Sequence, residues 1–301
     1  MRIGFIGLGN MGGPMALNLT KAEGNEVCVF DVRREAAAPH LEAGAKWADS
    51  PRALAAQSDL VMTSLPGPPE VEEVMFGEGG IAQGIRPGSV YVDLSTNAPS
   101  TVRRIAGALK EKGMDMLDAP VSGGAVGAKA ANLAIMVGGD EAVFRHVLPI
   151  LEIIGAKDQI IHVGAIGAGN VAKLAHNQLC MVTSAAIAEA FTMAVKAGIA
   201  PEALFKVVSG GAFGRGMLLQ GLPAVVFKGN FDRPPTFALK LARKDLALAT
   251  ELGREFNVPM PLAAVVEQEL TEAVARGLGD KDGIVAFSLQ EERAGVKVRS
   301  K

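Results

Sequence analysis

The chain is poor in cysteine, in aromatics and in charge of either sign. Only two cysteines, Cys28 and Cys180, occur in 301 residues. They lie far apart without metal-ligand spacing, so neither a disulfide framework nor a structural zinc site is expected. Both read as buried apolar residues of a reducing compartment. One Trp and one Tyr offer little for stacking on bases, and no basic run is interleaved with aromatics. A formal net charge of −2 gives no pull toward nucleic acid or an anionic membrane. The four histidines are scattered, and no metal is expected. The opening apolar segment lacks the basic leader and small-residue cleavage site of a signal peptide. The longest apolar stretch, 174–199, carries His176, Asn177, Gln178, Glu189 and Lys196, which is too polar for a membrane span and suits a long buried helix. Neither an internal repeat nor a low-complexity tract is visible. A cytoplasmic protein of about two domains is expected from the length.

What the chain has is glycine and a regular alternation. Short apolar runs at 2–6, 26–30, 59–65, 89–95 and 114–120 read as strands, separated by helical patterns such as 11–22 and 101–113. The alternation continues to about residue 163 and predicts a mainly parallel sheet covered on both faces. Beyond 164 the strand-like runs stop. Helical patterns follow at 169–198, from Pro201 to a glycine pair, at 236–256 and at 261–278, with Pro at starts and Gly at ends. The prediction is a dinucleotide-binding domain over 1–163 and an all-helical domain over 164–301, with a long helix between them.

The five glycines among the first thirteen residues need a reason, because fixing glycine costs backbone entropy. Gly7, Gly9 and Gly12 have the spacing G-x-G-x-x-G between a strand and a helix, with Asn10 and Met11 inside the motif. Gly7 makes the tight turn, Gly9 admits a pyrophosphate to the backbone, and Gly12 lets the helix pack closely on the strand. The helix start then offers free N–H groups to the phosphates. Asp31 ends the second strand, placed for a ribose 2′-hydroxyl. This is the Rossmann pattern, an α/β doubly wound fold. A carboxylate there opposes a 2′-phosphate and favours NAD, while Arg33 and Arg34 keep NADP open.

Two further glycine-rich segments carry chemistry. In 164–179, a flexible turn enters a helix with Lys173 near its start and Asn177 four residues on, sharing one face. The helix N-terminus disfavours the charged lysine and brings it toward the range useful for proton transfer. By spacing alone, a surface lysine is the competing reading. In 118–139, the Ser122 hydroxyl and the open backbone of Gly123 and Gly124 form a concavity that suits a carboxylate, with a plain strand-ending turn as the alternative. His176 neighbours Asn177 but points about 100° round the helix, and reads as a structural residue or one that supports the site from behind, not as the acid/base.

Four motifs in order, "GFIGLGNMGGPMALNL", "DAPVSGG", "GAIGAGNVAKLAHN" and "KDLALA", resemble the β-hydroxyacid dehydrogenases of the 3-hydroxyisobutyrate dehydrogenase type over nearly the whole chain. The resemblance implies that Lys173 is the acid/base and that Asn177 positions the substrate. It implies that Ser122, Gly123 and Gly124 hold the substrate carboxylate. It also implies that Met11, Leu65, Pro66, Thr96 and Lys244 line the cofactor site; without it, Lys244 reads as part of a solvated basic face. The family often has glycine where this chain has Ala131, and alanine strains a turn that wants positive φ. The K-L-A-H-N run is also similar to 6-phosphogluconate dehydrogenases, which are much longer. Imine reductases share the architecture but typically lack the lysine.

The expected function is hydride transfer between NAD, or NADP, and a small β-hydroxy acid or its semialdehyde. 3-Hydroxyisobutyrate, glycerate or tartronate semialdehyde, 4-hydroxybutyrate and sulfonated analogues all remain open. Phe213, Arg215 and Phe231 are candidates for selecting among them. The rival is a dinucleotide-binding module without turnover, which would not need Lys173 or Asn177. An apolar surface all round the helix 169–198 predicts a homodimer or homotetramer.

Overall fold

The computed structural model describes residues 1–216, 222–235, 237–255, 257–295 and 297–299. A few side chains inside helices, that of Lys244 among them, also lie outside the described residues. The chain divides into two compact units, Met1–Gln178 and Leu179–Lys301.

The first unit is built on nine strands: β1 (Arg2–Ile6), β2 (Glu26–Phe30), β3 (Lys46–Trp47), β4 (Leu60–Thr63), β5 (Val90–Asp93), β6 (Asp115–Asp118), β7 (Val121–Ser122), β8 (Leu133–Gly138) and β9 (Gly155–Gly164). Their order is β3-β2-β1-β4-β5-β6-β8-β7, with β9 on β8. The first six in that order run parallel. β8 meets β6 and β7 antiparallel and β9 parallel.

The central strands β4 and β5 are buried at every position because both faces are covered. Along each strand, side chains alternate between two cores. Ile3, Phe5, Val27, Val29, Leu60 and Met62 point into one. Ile6, Cys28, Val61 and Tyr91 point into the other. Each such aliphatic side chain, fully buried, stabilises the fold by about 1.5–3 kcal/mol.

The covering helices are α1 (Gly12–Lys21), α2 (Ala38–Glu42), α3 (Pro51–Ala56), α4 (Pro68–Phe76), α5 (Pro99–Lys110), α6 (Gly124–Lys129) and α7 (Glu141–Leu151). Proline at the first turn opens α3, α4 and α5, where its fixed φ suits the helix and no donor is lost. Asp140 caps α7 through the N–H groups of Ala142 (2.8 Å) and Val143 (3.2 Å). From β1 the chain winds outward to β3, then returns to β4 on β1's other side. That reversal opens a crevice at the carboxyl ends of β1 and β4, where doubly wound folds bind ligands.

The expected long helix is α8 (Ala168–Lys196), and α9 (Pro201–Gly210) follows it. The boundary between the two units falls inside α8. Leu239–Glu255, Pro261–Ala275 and Phe287–Ala294 are also helical, around a core of Leu239, Ala273, Val285 and Leu289. Two sequence expectations are corrected here. Cys180 is exposed, not buried. The helix that carries it is not sheathed either, since Val171, Leu174, Leu179, Val182, Ile187 and Val195 are exposed on α8. An apolar surface all round a helix cannot be covered by one side of its own chain. The two-residue β3 was not foreseen, because two residues show no periodicity. Among the described residues, no helix is long and apolar enough to cross a membrane.

Candidate active site

The three glycines of the first turn differ in what surrounds them. Gly7 has φ +94°, its N–H donates to the Phe30 carbonyl (3.0 Å), and a methyl there would strike the Ser64 carbonyl oxygen. A methyl at Gly12 would overlap the Gly7 carbonyl oxygen, whereas one at Gly9 meets nothing within 4 Å. So Gly7 bends the chain, Gly12 seats α1 against the turn, and Gly9 faces open space. Among the described residues no side chain caps α1, which leaves its positive end for an anion.

Asp31 is buried at 8 % exposure. Its Oδ2 accepts from the Leu8 N–H (2.7 Å) and its Oδ1 from the Arg33 N–H (2.8 Å), so it ties the end of β2 to the glycine turn. The Arg33 side chain lies 3.6 Å from it. Arg34 packs over the Trp47 ring at 5.4 Å. Asn10 is exposed and Met11 half-buried against the core. Beyond β4, the Leu65 N–H donates to Ser95 Oγ (2.9 Å). Pro66 is exposed and Thr96 half-buried. These residues fit a dinucleotide: an uncapped helix start, an open glycine and a buried acid at the next strand's end.

The second cluster joins the loop after β6 to the first turns of α8. Ser122 ends β7. Gly123 and Gly124 follow with φ +134° and +63°, and a methyl at Gly124 would meet nothing within 4 Å. Ser122 Oγ lies 3.4 Å from His176 Nε2, and His176 Nδ1 lies 3.3 Å from Asn177 Oδ1. Lys173, at 9 % exposure, is one helical turn before Asn177 on the same face. His176, which spacing alone sets aside, therefore bridges the serine loop and the asparagine. Ala131 adopts φ +54°, the left-handed conformation that the glycine of the resembling motif would supply.

Beneath both clusters runs a buried polar chain that the sequence reading missed. Asp118, Asn97, Asp93 and Asn170 are at most 2 % exposed. Asp118 Oδ1 accepts from the Gly167 N–H (2.7 Å), and its Oδ2 accepts from the Asn170 N–H (2.7 Å) and side-chain amide (3.2 Å). Asn170 Oδ1 accepts from the Asn97 N–H (2.6 Å). Asn97 Nδ2 donates to Asp93 Oδ2 (3.3 Å), whose Oδ1 accepts from the Ser95 N–H (3.0 Å) and Thr63 Oγ1 (3.0 Å). Burial pushes both carboxyl groups, Asp93 and Asp118, above the usual range, and the hydrogen bonds they accept oppose it.

Comparison with known proteins places the chain in a family. Residues 2–167 match the family model for the NAD binding domain of 6-phosphogluconate dehydrogenase. Residues 167–288 match that for the NAD-binding region of NADP-dependent 3-hydroxyisobutyrate dehydrogenase. The 2-(hydroxymethyl)glutarate dehydrogenase of Eubacterium barkeri is 42% identical over 299 residues, covering 99% of this chain and 97% of that protein. The 3-hydroxyisobutyrate dehydrogenase of Pseudomonas aeruginosa is 36% identical, covering 96% and 97%. The solved structure of Mycobacterium tuberculosis 3-hydroxyisobutyrate dehydrogenase with L-serine has a TM-score of 0.66 at 34% identity, covering 96% and 99%. The chain belongs to the β-hydroxyacid dehydrogenase family. It is an NAD(P)-dependent oxidoreductase.

Proposed function

We propose that the protein interconverts a small β-hydroxy acid and its semialdehyde, with Lys173 as the acid/base. The observation that carries this is one buried lysine sharing a helix face with Asn177, beside the contact between His176 and the Ser122 loop. Ser122, Gly123 and Gly124 hold the substrate carboxylate through a hydroxyl and unobstructed N–H groups. Asn177 orients the substrate. The Lys173 amine takes the hydroxyl proton as the carbon is oxidised, and its ammonium returns that proton in reduction. Its charge also steadies the oxygen as negative charge grows there. The bound nicotinamide supplies the hydride acceptor or donor. Gly7, Gly9, Asn10, Met11, Gly12, Leu65, Pro66 and Thr96 line its site.

Two finer points belong to the same reading. NAD is favoured over NADP, because a 2′-phosphate would face the Asp31 carboxylate while Arg34 is engaged with Trp47. The active form is a homodimer or homotetramer, supported by the bare apolar surface of α8. Two cysteines far apart in sequence, with no disulfide framework to build, suit a cytoplasmic setting.

The test is reduced-cofactor formation from NAD and NADP over a panel: 3-hydroxyisobutyrate, 2-(hydroxymethyl)glutarate, glycerate, 4-hydroxybutyrate, L-serine and a sulfonated hydroxy acid. Lys173→Ala is run beside the wild type. Loss of a positioned acid/base costs about 10²–10⁴-fold in turnover, with cofactor binding kept. Undiminished turnover in the variant removes Lys173 from the role. No turnover on any acid, with cofactor bound, removes the substrate class.

A further inference from the structure

We propose that Asn170 is a positioning residue for the reaction: its carboxamide fixes the first turn of α8, and with it Lys173, against the loops that carry Thr96 and Ser122. This rests on the reading of Lys173 as the acid/base. Asn170 is 0 % exposed, so it touches neither substrate nor solvent. It lies three residues before Lys173, on the same side of the helix. Its Oδ1 accepts from the backbone N–H of Asn97 (2.6 Å), the residue after Thr96. Its Nδ2 donates to Asp118 Oδ2 (3.2 Å), four residues before Ser122. One side chain thereby joins the cofactor loop, the substrate loop and the catalytic helix, across sequence separations of 73 and 52 residues.

The chemistry demands an amide. The site needs an acceptor at one end and a donor at the other, and Asn supplies both on a short stem. Asp would set a second carboxylate against Asp118. Leu would leave the Asn97 N–H and one Asp118 lone pair buried without a partner. The backbone is as close as it can be around this clip: a methyl on Gly169 would overlap the Met136 carbonyl oxygen. The first turn of α8 therefore cannot shift toward the sheet to recover a lost bond. It can only move away, carrying Lys173 with it.

The test uses the full chain, with Asn170→Ala and Asn170→Asp measured beside wild type on the fastest hydroxy acid of the panel. The Asp variant keeps the volume and the acceptor, so if the Ala variant does not fold it reads the lost donor together with the repulsion from Asp118. A misplacement of about 1 Å costs roughly 10²-fold, so kcat per folded molecule is expected to fall about 30- to 100-fold. NADH affinity should stay within about threefold, and the isotope effect from deuterated substrate should rise. The decisive readout is the Lys173→Ala background, followed in single turnovers. A residue acting through the lysine adds less than about threefold there. A merely structural role lowers the melting temperature and gives equal factors in both backgrounds. Equal factors, or a folded Asn170→Ala within threefold of wild-type kcat, overturn the inference. A full-rate Asn170→Ala beside an inactive Lys173→Ala sinks it alone. Full turnover in Lys173→Ala sinks the lysine reading, and with it this one.

Discussion

Ala131 closes α6 in a conformation that alanine resists. The Asn132 N–H reaches back to the Gly127 carbonyl (2.9 Å), and the Ala131 N–H to Ala128 (3.4 Å). That is the paired bonding of a helix ending in a left-handed residue, and Ala131 takes that place at φ +54°. The left-handed region costs an L-residue roughly 1–2 kcal/mol, while glycine would lose about 0.4–1 kcal/mol more unfolded-state entropy. Ala131→Gly is therefore expected to stabilise the protein by about 0.5–1 kcal/mol. The check is the urea midpoint, which should rise at unchanged slope. Turnover should stay near wild type, because the substitution relieves the backbone without moving Gly123 or Gly124. An unchanged or lower midpoint would show that the turn accommodates the methyl at no cost.

At the level of elements, the β1–α1 junction separates two roles that one motif combines. At Gly9 a methyl finds free space, and at Gly12 it overlaps the Gly7 carbonyl oxygen. Gly9→Ala is expected to fold, with a melting temperature within about 2 °C of wild type and ordinary surface-substitution energetics. It should lose cofactor affinity by about tenfold or more, because the pyrophosphate needs that space. Gly12→Ala is expected to lose stability by about 1–3 kcal/mol through overpacking, with affinity falling as a consequence. Melting curves and NADH fluorescence titrations, read together, distinguish the two; matching losses in both variants would remove the division of labour.

This junction was legible in the sequence because everything it needs lies within thirteen residues. The longer strands and α8 were legible for the same reason, each from its own periodicity. The buried chain from Asp93 to Asn170 was not. Asn170 sits inside a glycine-rich motif and looks like any helix-start polar residue. Its meaning comes from Asn97 and Asp118, which only the folded sheet brings to it. The partner of His176 was not legible either: helical geometry turns it from Lys173, and the Ser122 loop arrives from 54 residues away.

For the whole molecule, the composition of α8 raises the last question. Leu179 is 62 % and Val182 51 % exposed on one chain, in a helix with few charges. A monomer seldom leaves such a surface in water. A twofold interface counts each side chain twice, so these two positions contribute four buried side chains. At about 1.5–3 kcal/mol for a whole side chain, and with roughly half of each left to cover, they supply roughly 3–7 kcal/mol, a substantial share of the ~8 kcal/mol of a micromolar association. Light scattering on the wild type should therefore give two or four times the chain mass of 31.2 kDa. Leu179→Glu with Val182→Glu should shift it to a single chain, because four carboxylates cannot enter an apolar contact unpaired. Neither residue belongs to the glycine turn or to the Met1–Gln178 unit, so NADH binding reports whether that unit is folded, and the far-UV helical signal reports on the rest. A wild type that runs as one chain would mean that α8 stays bare in solution, and the homo-oligomer reading would fall.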